Sequence, residues 1–260
     1  MLTIYPIPAL DSNYFWLLQP DAEKPDAYVV DPGDAPPVLE ALDRHQLQLS
    51  GILITHHHWD HTDGIDELLA RFPVPVYGPH SERIPRVTHP LREGEQLGLP
   101  GLVFDIIALP GHTLDHIAYF QQPEDAPPRL FCGDTLFAAG CGRLFEGSPA
   151  QMHDSLSRLA ALPGQTRVYC THEYTLSNLR FAQAVEPDNP QIAQRLKEVS
   201  AWRAEGRISL PSNLALECAT NPFLRTTVEA VKAKIDEHDG LQQRSPSEVF
   251  ARLRAWKDNF

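Results

Sequence analysis

The residues with the most chemical potential lie in one short run, Thr55-His56-His57-His58-Trp59-Asp60-His61. Four imidazoles and one carboxylate at H-x-H-x-D-H spacing suit divalent cations that take nitrogen and oxygen ligands. Such groups would be costly to bury unpaired. The apolar residues Ile52-Leu53-Ile54 lead into the cluster as a strand, and in extended chain alternate residues share a face. His56 and His58 therefore grip one ion together while His57 points away. A turn into a helix at Asp63 redirects Asp60 and His61 towards a second ion.

Four ligands are too few for two ions, so the others must come from the ends of other strands. Residues 106–109 lead to Pro110-Gly111-His112-Thr113, residues 130–132 to Gly133-Asp134-Thr135, and residues 168–170 to Thr171-His172-Glu173. Each apolar run delivers one imidazole or carboxylate through a tight turn, which sets ligands on one rim, held by rigid elements. The resulting assignment puts His56, His58 and His112 on the first metal, and Asp60, His61 and His172 on the second, with Asp134 bridging. His45, His80, His89, His153 and His238 sit in polar surroundings and read as solvated. His116 opens the next strand and has a structural or supporting role. Asp31, in Val29-Val30-Asp31-Pro32-Gly33, either caps a turn or orients a ligating imidazole by accepting its other N–H.

The elements that must position these groups fall into two regimes. Runs rich in branched and aromatic residues, bounded by Pro, Gly or Asp, predict strands at residues 14–18, 27–30, 51–54, 74–77, 103–109, 117–120, 130–132 and 167–169. Helices are predicted between them at residues 37–44, 63–71 and 149–161. In the last of these Ser148 is the N-cap, Pro149 sits at the first helical position, and Met152, Leu156 and Leu159 share a face. Beyond about residue 174 strands nearly vanish, and residues 176–185, 191–204, 228–237 and 247–257 read as helices. The expected organisation is α/β, with a catalytic domain over residues 1–172 and a helical substrate-binding domain over residues 173–260.

Composition narrows the partners. The 260 residues carry 22 basic and 34 acidic side chains, a net charge of −12, which excludes the broad positive field of a nucleic-acid or anionic-membrane binder. An anionic substrate must then meet a local basic cluster. The four cysteines form no C-x-x-C pair, so neither a disulfide framework nor a thiolate zinc site is indicated. The N-terminus is not built as a signal peptide, and no apolar stretch approaches the ~18 residues of a membrane span. The reading is a cytoplasmic, monomeric protein. In the last predicted helix Val249, Leu253, Trp256 and Phe260 form a packing stripe, while Arg254 and Lys257 project from an adjacent face.

These motifs carry a resemblance. The His56–His61 cluster, Pro110-Gly111-His112-Thr113, Gly133-Asp134-Thr135 and the late His172 resemble the metallo-β-lactamase superfamily, whose fold is an αββα sandwich with metals at one edge. Residues 140–147, Thr171-His172-Glu173-Tyr174-Thr175, Asn221-Pro222-Phe223-Leu224-Arg225 and Lys257-Asp258-Asn259-Phe260 are similar to the glyoxalase II, or hydroxyacylglutathione hydrolase, family, so that the likeness covers nearly the whole chain.

The resemblance implies hydrolysis of S-D-lactoylglutathione to D-lactate and glutathione, the second step of methylglyoxal detoxification. It implies two divalent metal ions per chain, zinc with iron or manganese as alternatives, and a metal-bridging hydroxide positioned by Asp60 and Asp134. The leaving group is a thiolate whose aqueous pKa is about 8.5, so no dedicated general acid is required. By the same resemblance Arg143, Tyr174, Arg254 and Lys257 bind the glutathione moiety. The sequence departs from some relatives in having Phe145 where certain members carry Tyr, and Asp63 in a turn where a small residue is common. A mononuclear-iron persulfide dioxygenase and a metal-dependent phosphodiesterase or nuclease of the same superfamily are the rival activities, and a non-catalytic metal-binding module is the third alternative.

Overall fold

The computed structural model describes residues 2–240 and 245–260; Met1 and residues 241–244, which fall inside the two expected segments, lie outside the described residues. The chain forms two compact units, Met1–Ala108 with Asp115–Gly133, and Leu109–Leu114 with Asp134–Phe260.

The first unit is built on strands β1 (Thr3–Ala9), β2 (Asn13–Gln19) and β3 (Asp26–Val30), helix α1 (Ala35–His45), β4 (Gln48–Leu53), helices α2 (Trp59–Thr62) and α3 (Ile65–Arg71), β5 (Val76–Pro79) and β6 (His89–Leu91). The six strands form one sheet in sequence order, antiparallel from β1 to β3 and parallel from β3 to β6. Every residue of β2 is buried, because this inner strand has both faces covered. On one face Phe15, Leu17, Val29, Ile52, Ile54 and Val76 pack against Val38, Leu42, Ile65 and Leu68 of α1 and α3. Strands β7 (Gln96–Leu99), β8 (Leu102–Ala108), β9 (Ile117–Gln121) and β10 (Arg129–Gly133) pair antiparallel in sequence order. The Tyr119 hydroxyl of β9 donates to the Ile54 carbonyl at 2.8 Å, and the Ile117 N–H donates to the Thr55 carbonyl at 2.9 Å. Both bonds tie the end of β4 to the second set of strands.

Two differences from the sequence reading bear on the site. The helix expected over residues 63–71 is present as α3, but a separate four-residue turn, α2, precedes it, so Asp60 and His61 lie on a helical turn of their own. Gly33 makes that turn's position possible: a β-carbon there would overlap the Asp60 carbonyl oxygen. Strand β1 also lies outside the predicted set, because Pro6 and Pro8 mask it; it is tolerated as an edge strand, paired only with β2.

The second unit carries hairpin strands β11 (Leu136–Phe137) and β12 (Gly140–Cys141), helix α4 (Pro149–Ala160), β13 (Arg167–Cys170), α5 (Thr175–Val185), α6 (Pro190–Ala204), β14 (Ser212–Asn213), α7 (Leu214–Thr220), a 3₁₀ turn at Pro222–Leu224, α8 (Glu229–Asp239) and α9 (Pro246–Asp258). Helix α4 starts on a capping box formed by Ser148 and Gln151, with Pro149 in the first turn, and buries Met152, Leu156 and Leu159. Helix α9 has the same device in Ser245 and Glu248. Leu179, Ala182, Ile192 and Val199 form one apolar cluster. Phe181, Phe223, Phe250 and Trp256 interlock through edge and stacked contacts at 5.3–5.9 Å. His153, read as solvated from sequence, is packed instead, meeting Thr226 at 3.1 Å and the Phe250 ring, whereas His238 is exposed as expected and stacks on Trp256.

Candidate functional site

In the first unit, the parallel pairing of β3 with β4 brings the two segments that follow these strands side by side, the usual place for a site in parallel sheets. Asp31, just past β3, adopts φ +52°, a left-handed conformation that Asp tolerates better than most residues. Its buried carboxylate accepts from the Thr55 N–H at 2.7 Å and the Thr55 hydroxyl at 2.7 Å, and lies 3.0 Å from His61 Nδ1. A carboxylate at that nitrogen keeps the proton on Nδ1 and leaves Nε2 as a lone pair, the form that ligates metal.

His56 and His61 are fully buried. A ring nitrogen of His56 lies within 4.8 Å of one on His58 and of one on His61, and His61 is similarly placed relative to an Asp60 oxygen. Asn13 donates to the Asp60 carboxylate at 3.1 Å and to its carbonyl at 3.3 Å, which fixes that side chain from β2. His57 is held elsewhere: its Nδ1 meets the Asp115 carboxylate at 2.9 Å and its Nε2 meets Arg83 Nη1 at 2.9 Å. The His116 ring stacks on His56 at 4.7 Å.

In the second unit, His112 Nδ1 lies 2.8 Å from the Arg143 carbonyl, which can only accept, so Nε2 is again the lone pair; it faces Asp134 Oδ2 at 3.5 Å. His172 Nε2 is 3.2 Å from the same oxygen. The three side chains thus converge, and all three residues are buried. Gly142 permits the approach, because a β-carbon there would overlap the Asp134 carbonyl oxygen. The hairpin that follows Asp134 is fixed from below. Asn221 donates to the Phe137 and Gly140 carbonyls, Asn178 to the Ala138 carbonyl, and the Ala139 N–H donates to the fully buried Glu217 carboxylate. Arg195 and Ser212 complete the pairing of Glu217. Phe137 then stands edge-on to His172 and Tyr174, whose rings stack on each other at 4.7 Å.

A cavity of about 400 Å³ in this unit is lined by His112, Asp134, Phe137, Cys141, Arg143, Phe145, Tyr174, Ser177, Asn178, Arg254 and Lys257. A larger recess of about 670 Å³, around Glu186, Asn189 and Arg225, contains none of the predicted residues. In the smaller cavity Arg254 is 6% exposed; its Nη1 donates to the Cys141 carbonyl at 2.9 Å, its Nη2 to Asp258 at 2.9 Å, and the guanidinium lies 5.1 Å over the Phe223 ring. Burial, reinforced by the neighbouring Arg254 and Arg143 charges, holds the Lys257 ammonium below its ordinary pKa. Burial pushes the Cys141 thiol up to about 11, so it is not a nucleophile at neutral pH. Phe145 is 65% exposed and contributes no hydroxyl to the cavity.

The donor set fits divalent metal ions. It consists of carboxylates and imidazoles, among which the opposite nitrogens of His61 and His112 face a carboxylate and a carbonyl oxygen and that of His56 faces the Thr55 hydroxyl at 3.1 Å. Asn13 orients Asp60, and Asn178 and Glu217 fix the hairpin after Asp134; these three lay outside the sequence reading, as did Asp115 beside His57, while Asp258 entered it only within a family motif and with no role. Only Asp258 had a local signal, standing four residues after Arg254 on one helix.

Comparison with known proteins accords with this geometry. The family model for the metallo-beta-lactamase superfamily matches residues 11–172, and that for the hydroxyacylglutathione hydrolase C-terminus matches residues 173–260. The chain is 60% identical over 261 aligned positions to a hydroxyacylglutathione hydrolase of Pseudomonas savastanoi pv. phaseolicola, with 100% of both chains covered. Among solved structures it is similar to ETHE1 from Myxococcus xanthus, with a TM-score of 0.65 at 25% identity over 98% of each chain. It is also similar to TTHA1623 in a di-iron-bound form, with a TM-score of 0.59 at 28% identity over 85% of this chain and 100% of that one.

Proposed function

The chain belongs to the hydroxyacylglutathione hydrolase family of the metallo-β-lactamase superfamily, and from that premise we propose that it cleaves S-D-lactoylglutathione to D-lactate and glutathione. It is a thioester hydrolase and binds divalent metal. The observation that carries the substrate assignment is the lining of one cavity: three cations, Arg143, Arg254 and Lys257, in a chain of net charge −12, beside His112 and Asp134. Glutathione bears two carboxylates, and a local cationic cluster is what an otherwise acidic protein needs to take it up.

In this reading His56, His58 and His112 hold one ion, Asp60, His61 and His172 hold another, and Asp134 serves both. The convergence of donors within each unit supports this set, and the di-iron form of TTHA1623 supports a count of two. Zinc suits the ligands, as do iron and manganese. When bound, the ions supply Lewis acidity, lowering the pKa of water and polarising the thioester carbonyl.

The chain's own groups do the rest. Asp31 keeps the proton on His61 Nδ1, the Arg143 carbonyl does the same for His112, and Asn13 orients Asp60. Arg254 and Lys257 pair with glutathione carboxylates, Tyr174 supplies a hydroxyl, and Arg143, on the same cavity, adds a further cation for the peptide. The departing thiolate, with an aqueous pKa of about 8.5, leaves without a proton donor. The two family matches meet between His172 and Glu173, which supports a division of labour in which residues 1–172 carry catalysis and residues 173–260 carry substrate recognition.

No helix among the described residues is long and apolar enough to cross a membrane. The four cysteines are free thiols, which supports a cytoplasmic setting, and we assign a monomer acting on a small molecule without nucleic acid. The match of residues 173–260 to the hydroxyacylglutathione hydrolase C-terminus weighs against the persulfide dioxygenase and phosphodiesterase alternatives. The test is a side-by-side cleavage assay with S-D-lactoylglutathione, a lactam, a phosphodiester and a glutathione persulfide. Preference for the thioester is expected; equal or faster turnover of any of the other three contradicts the assignment.

A further inference from the structure

We propose that Asp258 is a specificity-determining residue. Its carboxylate is the built-in counter-anion of the substrate-reading cations, so that glutathione binds by exchanging one carboxylate for another. The inference rests on reading the cavity as the glutathione site.

Asp258 Oδ1 accepts from Arg254 Nη2 at 2.9 Å and lies 3.5 Å from Arg143 Nε, so one oxygen serves two cations from separate elements. The bland explanation, an ordinary Arg–Asp pair four residues apart on α9, fits poorly. An acid in the last turn opposes the helix macrodipole, and the basic-to-acidic order of the pair is the less favourable one. Nor is Asp258 needed to place Arg254, whose Nη1 is anchored by the Cys141 carbonyl.

What Asp258 does is offset repulsion among three cations crowded into one cavity. Arg254 and Arg143 disfavour the charged form of Lys257, and Asp258 favours it. The Asp258 side chain is 40% exposed and that of Arg143 is 65% exposed, so their pairing is weak and readily exchanged with an incoming carboxylate. The cost of displacing Asp258 is subtracted from the affinity for the whole tripeptide, product included, and so keeps glutathione from lingering after hydrolysis.

The variant to make is Asp258→Asn in the full, metal-loaded chain, because the amide oxygen still accepts from Arg254 while the charge is gone. The readouts are the KM for S-D-lactoylglutathione, the inhibition constant of free glutathione, and the KM for a small thioester lacking glutathione. Removing a unit charge a few ångströms from the bound carboxylates at a partly screened surface should lower both glutathione values roughly three- to ten-fold at low salt. The small thioester should be unaffected, and the difference should shrink at high salt. Unchanged or raised glutathione values overturn the proposal, as does a decrease that persists undiminished at high salt. If free glutathione fails to inhibit the unmodified protein at all, the assignment of the cavity falls, and this inference with it.

Discussion

Replacing Asp31 with Asn tests how the first unit prepares its ligands. The substitution is nearly isosteric, and Asn tolerates the left-handed conformation at φ +52° at least as well as Asp, so the backbone is not the variable. What changes is the bonding. Three donors converge on Asp31: the Thr55 N–H, the Thr55 hydroxyl and His61 Nδ1, at 2.7, 2.7 and 3.0 Å. A carboxylate accepts all three, whereas an amide must turn its NH₂ towards at least one of them. The Thr55 hydroxyl can rotate and accept, but the main-chain N–H cannot. The amide oxygen therefore stays on Thr55 N, and its NH₂ faces His61. His61 is then driven to carry its proton on Nε2 and loses the lone pair required for ligation.

Hydrogen bonds to a charged group contribute about 1.5–3 kcal/mol each, so impairing two of them in a buried setting should cost roughly 3–6 kcal/mol of stability. Loss of such an orienting partner should weaken the ion at His61 by about 10- to 100-fold. The assay is titration of the metal-free variant with zinc under competition by a chelator, with denaturant unfolding measured in parallel. Only one of the two affinities should fall, while the folded fraction stays high. If Asp31→Asn retains both affinities and full stability, the orienting role assigned to Asp31 is wrong.

Other consequences can be measured directly. Arg254→Gln and Lys257→Gln should each raise KM for glutathione thioesters about ten-fold or more, the scale of one charge-assisted bond, while a small thioester is turned over as before. Because Lys257 has a pKa held below its ordinary 10.5, the KM for glutathione thioesters should rise with alkaline pH before that value is reached, and Lys257→Arg should remove the rise. His153 has its pKa lowered from 6.5 by burial, so the unfolded chain binds the extra proton. Its contribution is complete above pH 6.5 and is lost as pH falls below it, so unfolding at pH 7 and pH 5 should differ less in His153→Gln than in the parent.

Much of the site was legible in the sequence because its chemistry demands particular residue types just after strands. The run from Ile52 to His61 announces both a strand and a donor cluster, and the same pattern of apolar run, turn and ligand recurs at His112, Asp134 and His172. Helix α4 was readable because its cap, its proline and its apolar face all agree. Helix α2 was not, since four residues hold no periodicity; its position depends on contact with Gly33, which lies in a distant segment. Asn13 acts 47 positions away from Asp60, and no local signal marks it. The same holds for Glu217, whose partners at Ala139 and Arg195 come from separate segments. His153 misled because polar neighbours in sequence say nothing about the Phe250 ring that meets it in space.

Hydrolysis of S-D-lactoylglutathione by metal-free protein, measured as zinc is added back in steps, addresses the central claim most directly. The seven-ligand account predicts activity that grows to a plateau at two ions per chain. Full activity with one ion, or activity independent of added metal, would contradict it.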